Sequence, residues 1–124
     1  MAEGKEDKIV IIATHGAEDP ERATLPFVVA NAAQAMDTKA VVILQGYAVT
    51  LAMKGEVEHV FAAGLAPLKE LVDSFLKLGG ELLVCTPCIK QRQIAPETLI
   101  EGAKPIAAAR VVTECLEAMA TLNY

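Results

Sequence analysis

Two cysteines, Cys85 and Cys88, are the residues of this chain best suited to chemistry. They follow an apolar run at 81–84, which places the pair where a predicted strand ends and a helix begins. Thr86 is a suitable N-cap and Pro87 a suitable first helical residue, so we expect Cys88 in the first helical turn. Free backbone N–H groups and the positive end of the helix dipole lower a cysteine pKa there. The spacing therefore predicts thiolate chemistry.

Two basic residues, Lys90 and Arg92, follow the pair and are expected to favour the thiolate further. A C-x-x-C pair also occurs as half of a zinc site or as a structural pair, so these interpretations stay open. His15, His59 and Cys115 could in principle complete a zinc site, but their spacing matches no familiar pattern. Cys115 lies on the apolar side of a predicted helix and is expected in the core. We expect no metal at the pair.

Size and composition limit the possible classes of protein. The chain has 124 residues, which is typical of one domain, and residues 1–7 are predicted to form a flexible tail. Hydrophobic residues make up 53% of the sequence and the mean hydropathy is +0.38, so we expect other subunits to cover part of its surface. The composition therefore predicts a homo-oligomer.

Charge and cysteine content indicate the possible partners and the cellular location of the protein. The net charge is −5 and no basic cluster is present, which argues against nucleic acid and anionic membranes as partners. No apolar run approaches the roughly 18 residues that suggest a membrane span. The charged start lacks the apolar core of a signal peptide, and three cysteines, an odd number, fit a reducing cytoplasm better than a disulfide framework. These features predict a cytoplasmic protein.

Strands alternate with helices along the chain. Strands are predicted at 8–14, 40–44, 81–85, 105–107 and 120–123, and helices at 20–36, 47–53, 67–78 and 109–118. Asp19 is the expected N-cap of the first helix, and Pro26 either kinks that helix or marks its start near Leu25. The alternation predicts an α/β fold, with a parallel sheet covered on both faces.

Three loops are predicted to meet at one edge of this sheet, because parallel strands end on the same side. They contain His15 and Gly16, Gln45 and Gly46, and the cysteine pair at 85–88. We expect the first four residues, with Lys90 and Arg92, to bind the substrate. His15 is expected to hydrogen-bond either a thiol or the backbone. No phosphate-binding glycine pattern follows the first strand, so nucleotide binding is not expected.

Four segments carry a resemblance to a known family. They are Thr14 to Ala23, the helical segment at 27–33, the cysteine segment at 84–92, and the ending at 120–124. In this order and over nearly the whole chain, they resemble the DsrE/DsrF-like (YchN-like) family of small sulfur-relay proteins. The resemblance implies a three-layer α/β/α sandwich with a five-stranded, mostly parallel sheet. It also implies homotrimers or homohexamers in the cytoplasm.

The resemblance also implies a role for the cysteines. Cys85 matches the position that carries a persulfide in sulfur-transferring members, with Arg92 downstream. Cys88 is a thiol that many such members lack, and Gln93 stands where they often have glycine. We expect Cys85 to exchange sulfur with donor and acceptor proteins or small polysulfides without a cofactor, and Cys88 could resolve the persulfide. The alternatives are a thiol-disulfide redox or sensing protein and a non-catalytic oligomeric binding module.

Overall fold

A five-stranded sheet forms the centre of the molecule in the computed structural model, which describes residues 7–124. All its strand pairs are parallel, and the strand order is β4-β3-β2-β1-β5. The strands are β1 (Lys8–Ala13), β2 (Lys39–Leu44), β3 (Glu81–Cys85), β4 (Ala103–Ile106) and β5 (Ala120–Asn123). The predicted parallel α/β fold is therefore confirmed.

Between residues 7 and 124, four α-helices and three 3₁₀ segments connect the strands. The helices are α1 (Pro20–Ala35), α2 (Leu68–Lys77), α3 (Thr86–Gln91) and α4 (Ala108–Glu117). The 3₁₀ segments are Gly46–Ala52, Glu56–His59 and Pro96–Thr98. Within residues 7–124, no helix is both long enough and apolar enough to cross a bilayer.

The first helix begins as its sequence predicts and then passes through an internal proline. Asp19 accepts a hydrogen bond from the Arg22 N–H at 3.1 Å, which caps the helix, and Pro20 is the first helical residue. The helix is continuous from there to Ala35, so the alternative start near Leu25 is wrong. Pro26 is buried inside it, where burial of its ring helps to offset the hydrogen bond that its missing N–H cannot make.

The two faces of the sheet differ in how completely they are covered. One face packs with α1 and α2 into a large core, in which the rings of Phe27 and Phe75 meet edge to face at 5.6 Å. The other face forms a smaller cluster in which Cys115 of α4 packs, as expected, against buried strand residues. The outward side of α4 leaves Val112 57% and Leu116 76% exposed. The helical layer on this face therefore covers a smaller core and exposes apolar side chains to solvent.

Charged side chains form a network at the amino ends of the strands. Lys8 and Glu114 are only 7% and 5% exposed, and the Lys8 ammonium donates to both Glu114 and Glu117 at 3.0 Å. Arg110 also donates to Glu114, at 2.7 Å. Burial would raise the pKa of Glu114, but hydrogen bonds from Arg110 and Lys8 outweigh it and lower that pKa. The network joins α4 to the start of β1.

The predicted tail at 1–7 falls largely outside the described residues, which begin at Asp7. The Asp7 carbonyl accepts a hydrogen bond from the Lys39 N–H at 2.9 Å. The contact with β2 therefore already includes residue 7.

Candidate functional site

The cysteine pair lies at the junction of β3 and α3, as the sequence predicts. The helix nevertheless begins at Thr86, with Cys85 preceding it, so the prediction that Thr86 is the N-cap was wrong by one residue. Cys88 is the third helical residue and still lies in the first turn. Both thiols are free and half-buried. The backbone N–H of Cys88 hydrogen-bonds to the Cys85 sulfur, which ties the two residues together.

The Cys88 sulfur accepts hydrogen bonds from neighbouring groups. It accepts the backbone N–H of Gly46 at 3.2 Å, and the Cys85 thiol donates to it as well. Gly46 has a φ of 56°, a left-handed conformation that glycine adopts without steric cost. This conformation at the end of β2 directs the N–H toward the neighbouring strand end. The site therefore depends on a glycine in one loop and a thiol in another.

Cys85 does not have the low pKa expected from the sequence. Burial raises the pKa of the Cys85 thiol above its ordinary value of 9.0, and the hydrogen bond to the Cys88 sulfur raises it further. The Cys88 N–H and the charge of Arg92 oppose this shift without reversing it. The expectation of a thiolate at Cys85 relied on a helix dipole, but α3 has only six residues. Desolvation is the stronger effect here.

The two basic residues that follow the pair differ in their positions. Arg92 donates from Nη1 to the Cys88 carbonyl oxygen at 3.2 Å, and its charge acts on Cys85. Lys90 is exposed on α3, and its carbonyl oxygen accepts the Gln93 N–H at 3.1 Å. Arg92 therefore contacts the backbone of the cysteine pair directly, whereas the contact observed for Lys90 is made by its own backbone.

His15 and Gly16 lie in the loop after β1. His15 Nδ1 is 2.8 Å from a carboxylate oxygen of Glu18, and the other oxygen accepts the Gly16 N–H. The His15 hydrogen bond lowers the pKa of Glu18. His15 is therefore held by a carboxylate, and neither the thiol nor the backbone partner considered from the sequence is the one observed.

The glycine of this loop packs against the 3₁₀ segment that follows β2. Gly16 is buried, and a Cβ atom there would lie 2.9 Å from Thr50 Oγ1 and 3.1 Å from the Tyr47 carbonyl oxygen. Gln45 contributes through its backbone, since its N–H donates to the Ala13 carbonyl at 2.9 Å. The loops after β1, β2 and β3 are thus in contact, because Gly16 contacts the segment that begins with Gly46.

A cleft of about 400 Å³ lies next to the end of α3; neither cysteine lines it, but Arg92, which contacts the Cys88 carbonyl, does. Its walls combine the Arg92 guanidinium, the polar side chains of Gln93 and Thr50, and apolar surface from Tyr47, Met53 and Ile94. Sequence reasoning found only Arg92 in this set. An exposed tyrosine directly after a strand-end glycine was a usable signal, but Met53 reaches the cleft only through tertiary packing.

Metal binding receives no support from the arrangement of ligands. Among residues 7–124, no group of three or more His, Cys, Asp or Glu side chains is placed to hold a metal ion.

Comparison with known proteins identifies the family. The DsrE/DsrF-like family model matches residues 7–124, which is nearly the whole chain. This chain belongs to the DsrE/DsrF-like family. A relative in Methanocaldococcus jannaschii, the uncharacterized protein MJ0760, is 33% identical over 98 residues. That alignment covers 79% of this DsrE/DsrF-like chain but only 36% of the relative, so the chain spans about a third of the length of that protein.

Solved structures show the same fold at low sequence identity. The ychN protein from E. coli matches with a TM-score of 0.75 and 17% identity, covering 95% of this chain and 99% of its own. The protein of unknown function MTH1491 from Methanobacterium thermoautotrophicum matches with a TM-score of 0.70 and 12% identity, with coverages of 96% and 100%. These similarities establish the YchN-like architecture of the DsrE/DsrF-like chain.

Proposed function

We propose that this protein accepts sulfane sulfur from a persulfide or polysulfide, holds it on Cys85 as a cysteine persulfide, and passes it to an acceptor thiol. The observation that carries the proposal is the paired arrangement of Cys85 and Cys88 at the carboxyl edge of the sheet, with Gly46 donating to the Cys88 sulfur. Membership of the DsrE/DsrF-like family is consistent with a sulfur-relay role. The donors and acceptors are other proteins or small polysulfides.

The transfer step needs Cys85 as a thiolate, although its pKa is raised. Cys85 first releases its proton to solvent water. The electron pair of Cys85 then forms a bond to the outer sulfur of the donor R–S–SH. The donor S–S bond breaks, and the leaving R–S⁻ takes up the proton. The products are Cys85–S–SH and R–SH, with no net oxidation or reduction.

Release of the sulfur follows the same chemistry in reverse. An acceptor thiolate attacks the outer sulfur of the Cys85 persulfide, and Cys85 leaves as a thiolate that is reprotonated. Alternatively, Cys88 attacks the inner sulfur and expels hydrosulfide, which leaves a Cys85–Cys88 disulfide that an external thiol must reduce. The half-buried position of Cys85 limits access of oxidants to the persulfide.

The competing function is thiol-disulfide exchange or redox sensing by the same pair. The proximity of the two cysteines in the chain favours it as a second candidate, because Cys85 directly precedes α3 and Cys88 lies in the first turn of that helix. In that case the Cys85–Cys88 disulfide would be the functional product, and no sulfur atom would be gained.

Mass spectrometry of the intact protein separates the candidates. We expect the reduced protein to gain one sulfur atom when treated with polysulfide, and we expect Cys85→Ser to lose this gain. Cys115→Ser is the matched control, since Cys115 packs on the opposite side of the sheet from the pair's main core and should leave the gain intact. Loss of two hydrogens without sulfur gain would favour redox exchange, and no mass change would favour a binding module.

Self-association is a further part of the proposal. The exposed apolar residues of α4 and the outer position of β5 in the sheet of residues 7–124 are features that a second copy of this chain would cover. The family resemblance implies three or six subunits. Light scattering during gel filtration tests this: we expect a mass of several chains for the native protein and a smaller one for Leu116→Glu. A monomeric native protein would contradict it.

The proposed relay needs reduced thiols, which agrees with the cytoplasmic location predicted from the sequence.

A further inference from the structure

We infer that the cleft at the end of α3 binds the organic part of a small persulfide that carries a carboxylate, and that Arg92 and Gln93 recognise this carboxylate. The inference rests on the proposed function for its reaction, because it names the class of donor from which Cys85 takes sulfur. The binding itself does not depend on that reaction and is tested separately below.

The charge of the cleft favours an anionic ligand. Arg92 is the charged residue among its lining side chains in the described part of the chain. Its guanidinium uses Nη1 to donate to the Cys88 carbonyl, and no carboxylate within residues 7–124 forms an ion pair with it. A guanidinium has five N–H donors in a fork that matches a carboxylate, so donors remain for a ligand. Arg92 therefore links the cleft to the thiol pair.

The backbone at Gln93 provides a second, independent observation. Its φ is 55°, in the left-handed region that favours glycine. The Gln93 N–H donates to the Lys90 carbonyl at 3.1 Å, and the Ile94 N–H donates to the Ile89 carbonyl at 2.9 Å. These two bonds form a Schellman motif that ends α3, and Gln93 occupies the position where glycine is preferred.

A glutamine in this position is strained, and its exposed side chain gains little from packing. Glycine would end the helix equally well without the strain. What glutamine adds is a side-chain amide at the wall of the cleft, next to Arg92. An amide donates to carboxylate oxygens and accepts from ammonium or amide N–H groups, which are common in small thiols of amino-acid or peptide type.

The remaining walls suit the rest of such a ligand. Tyr47, Met53 and Ile94 supply apolar surface for methylene groups. The volume of about 400 Å³ falls in the lower part of the range of about 300–1,000 Å³ that is typical of small-molecule sites. Tyr47 directly follows Gly46, whose N–H donates to the Cys88 sulfur, and Arg92 donates to the Cys88 carbonyl, so two residues that line the cleft connect it to Cys88. The site fits a short thiol compound better than inorganic polysulfide alone.

Donor kinetics test the proposal. Persulfide formation on Cys85 is followed by timed mass spectrometry with three donors: glutathione persulfide, its diethyl ester and inorganic polysulfide. We expect Arg92→Gln to raise KM about tenfold or more for glutathione persulfide, as the loss of a charge-assisted hydrogen bond predicts. KM for the ester and for polysulfide should change little. We expect kcat to fall by a similar factor for all three donors, because Arg92 also acts on Cys85.

Gln93→Gly separates recognition from structure. We expect this variant to raise KM for glutathione persulfide about threefold, as loss of a neutral hydrogen bond predicts, while its melting temperature rises because the strain is relieved. Lys77→Gln, which removes an exposed charge from α2, is the control and should leave KM unchanged. Equal KM effects of Arg92→Gln on all donors, or no effect of it on glutathione persulfide, would overturn the proposal.

A binding measurement distinguishes failure of this inference from failure of the proposed function. Titration calorimetry with reduced glutathione uses Cys85→Ser protein, which cannot take up sulfur at residue 85. We expect binding, weakened about tenfold by adding Arg92→Gln. If no donor transfers sulfur to the native protein but this binding pattern is found, the relay fails and the cleft assignment stands. The cleft assignment is overturned if glutathione does not bind, or if Arg92→Gln leaves its affinity unchanged.

Discussion

The two edges of the sheet hold polar groups in opposite ways. At the amino edge, Lys8 and Glu114 are almost fully buried, and full charges satisfy each other at 2.7–3.0 Å with the help of Arg110. At the carboxyl edge, the half-buried thiols of Cys85 and Cys88 are held by a backbone N–H and by each other. Strong pairing fixes one edge, whereas weak pairing leaves the sulfurs at the other edge able to change partners. The difference indicates that stability and chemistry are located at opposite ends of the same strands.

Removing a charge from the amino edge should have the largest effect on stability. We expect Glu114→Ala to lower the free energy of unfolding by about 3–5 kcal/mol, because it leaves the buried Lys8 ammonium without its buried partner and with only the exposed Glu117 carboxylate. Lys69→Ala is the matched control, since it breaks an exposed ion pair with Asp73 and should cost less than about 1 kcal/mol. Urea denaturation measures both. Equal losses would mean that the amino edge is not a special source of stability.

Glycine substitutions compare the packing at the two edges. At Gly80, just before β3, an added Cβ would lie 2.2 Å from the Phe75 ring, and we expect Gly80→Ala to cost about 1–3 kcal/mol. At Gly16 the nearest atom is the rotatable hydroxyl of Thr50 at 2.9 Å, so Gly16→Ala should cost less. Thermal unfolding gives the comparison. The reverse order would show that the carboxyl edge is the more rigid one.

The free energy of unfolding should depend on pH through the charged groups at the amino edge of the sheet. The pKa of Glu114 lies below its ordinary value of 4.5 in the folded protein, so its ionised form stabilises the fold above that pH. This contribution is lost as the pH falls through the lowered folded pKa. We expect the free energy of unfolding to decrease more steeply below about pH 4.5 in the native protein than in Glu114→Gln. Parallel curves would exclude Glu114 as the source.

The smallest effect on stability, and the clearest one on reactivity, is expected at Cys88. In Cys88→Ala, the hydrogen bond from the Cys85 thiol is lost while burial and the backbone N–H at residue 88 remain. The pKa of Cys85 should therefore fall from its raised value toward 9.0, and alkylation of Cys85 should begin at lower pH. Peptide mapping after timed iodoacetamide treatment at several pH values measures this. An unchanged or higher midpoint would show that burial alone sets the pKa.

Much of the fold could be predicted from local patterns. The apolar strands, the amphipathic α2 and the Asp19 cap each contain their own signal, and they gave the parallel sheet without further information. Pro26 was ambiguous because a proline ring inside a helix is tolerated only when tertiary burial compensates, and burial is not a local property. The sequence also could not show which side of α4 faces outward. The buried Glu114 helps to set that orientation, because it pairs with Lys8, 106 positions away in the sequence.

The candidate site was predictable in its place but not in its electrostatics. Parallel strands must end together, so the loops with Gly16, Gly46 and Cys88 could be expected to meet. The direction of the Cys85 pKa could not be read from residue types, because it depends on how far the thiol is buried and on which sulfur receives the hydrogen bond. The left-handed backbone of Gln93 also has no signature in the residues of this chain, and only the glycine that the family resemblance places there indicates it.

The donor that Gly46 supplies to the Cys88 sulfur is a backbone amide, so its strength does not depend on pH. A backbone amide keeps its proton throughout the biological pH range, unlike a histidine or lysine in the same role. The donor facing Cys88 therefore supplies the same partial charge in acid and in alkali, and it is not removed by exchanging a side chain. Any acid-base profile of the sulfur chemistry should accordingly report on the thiols and their ligands rather than on an auxiliary base.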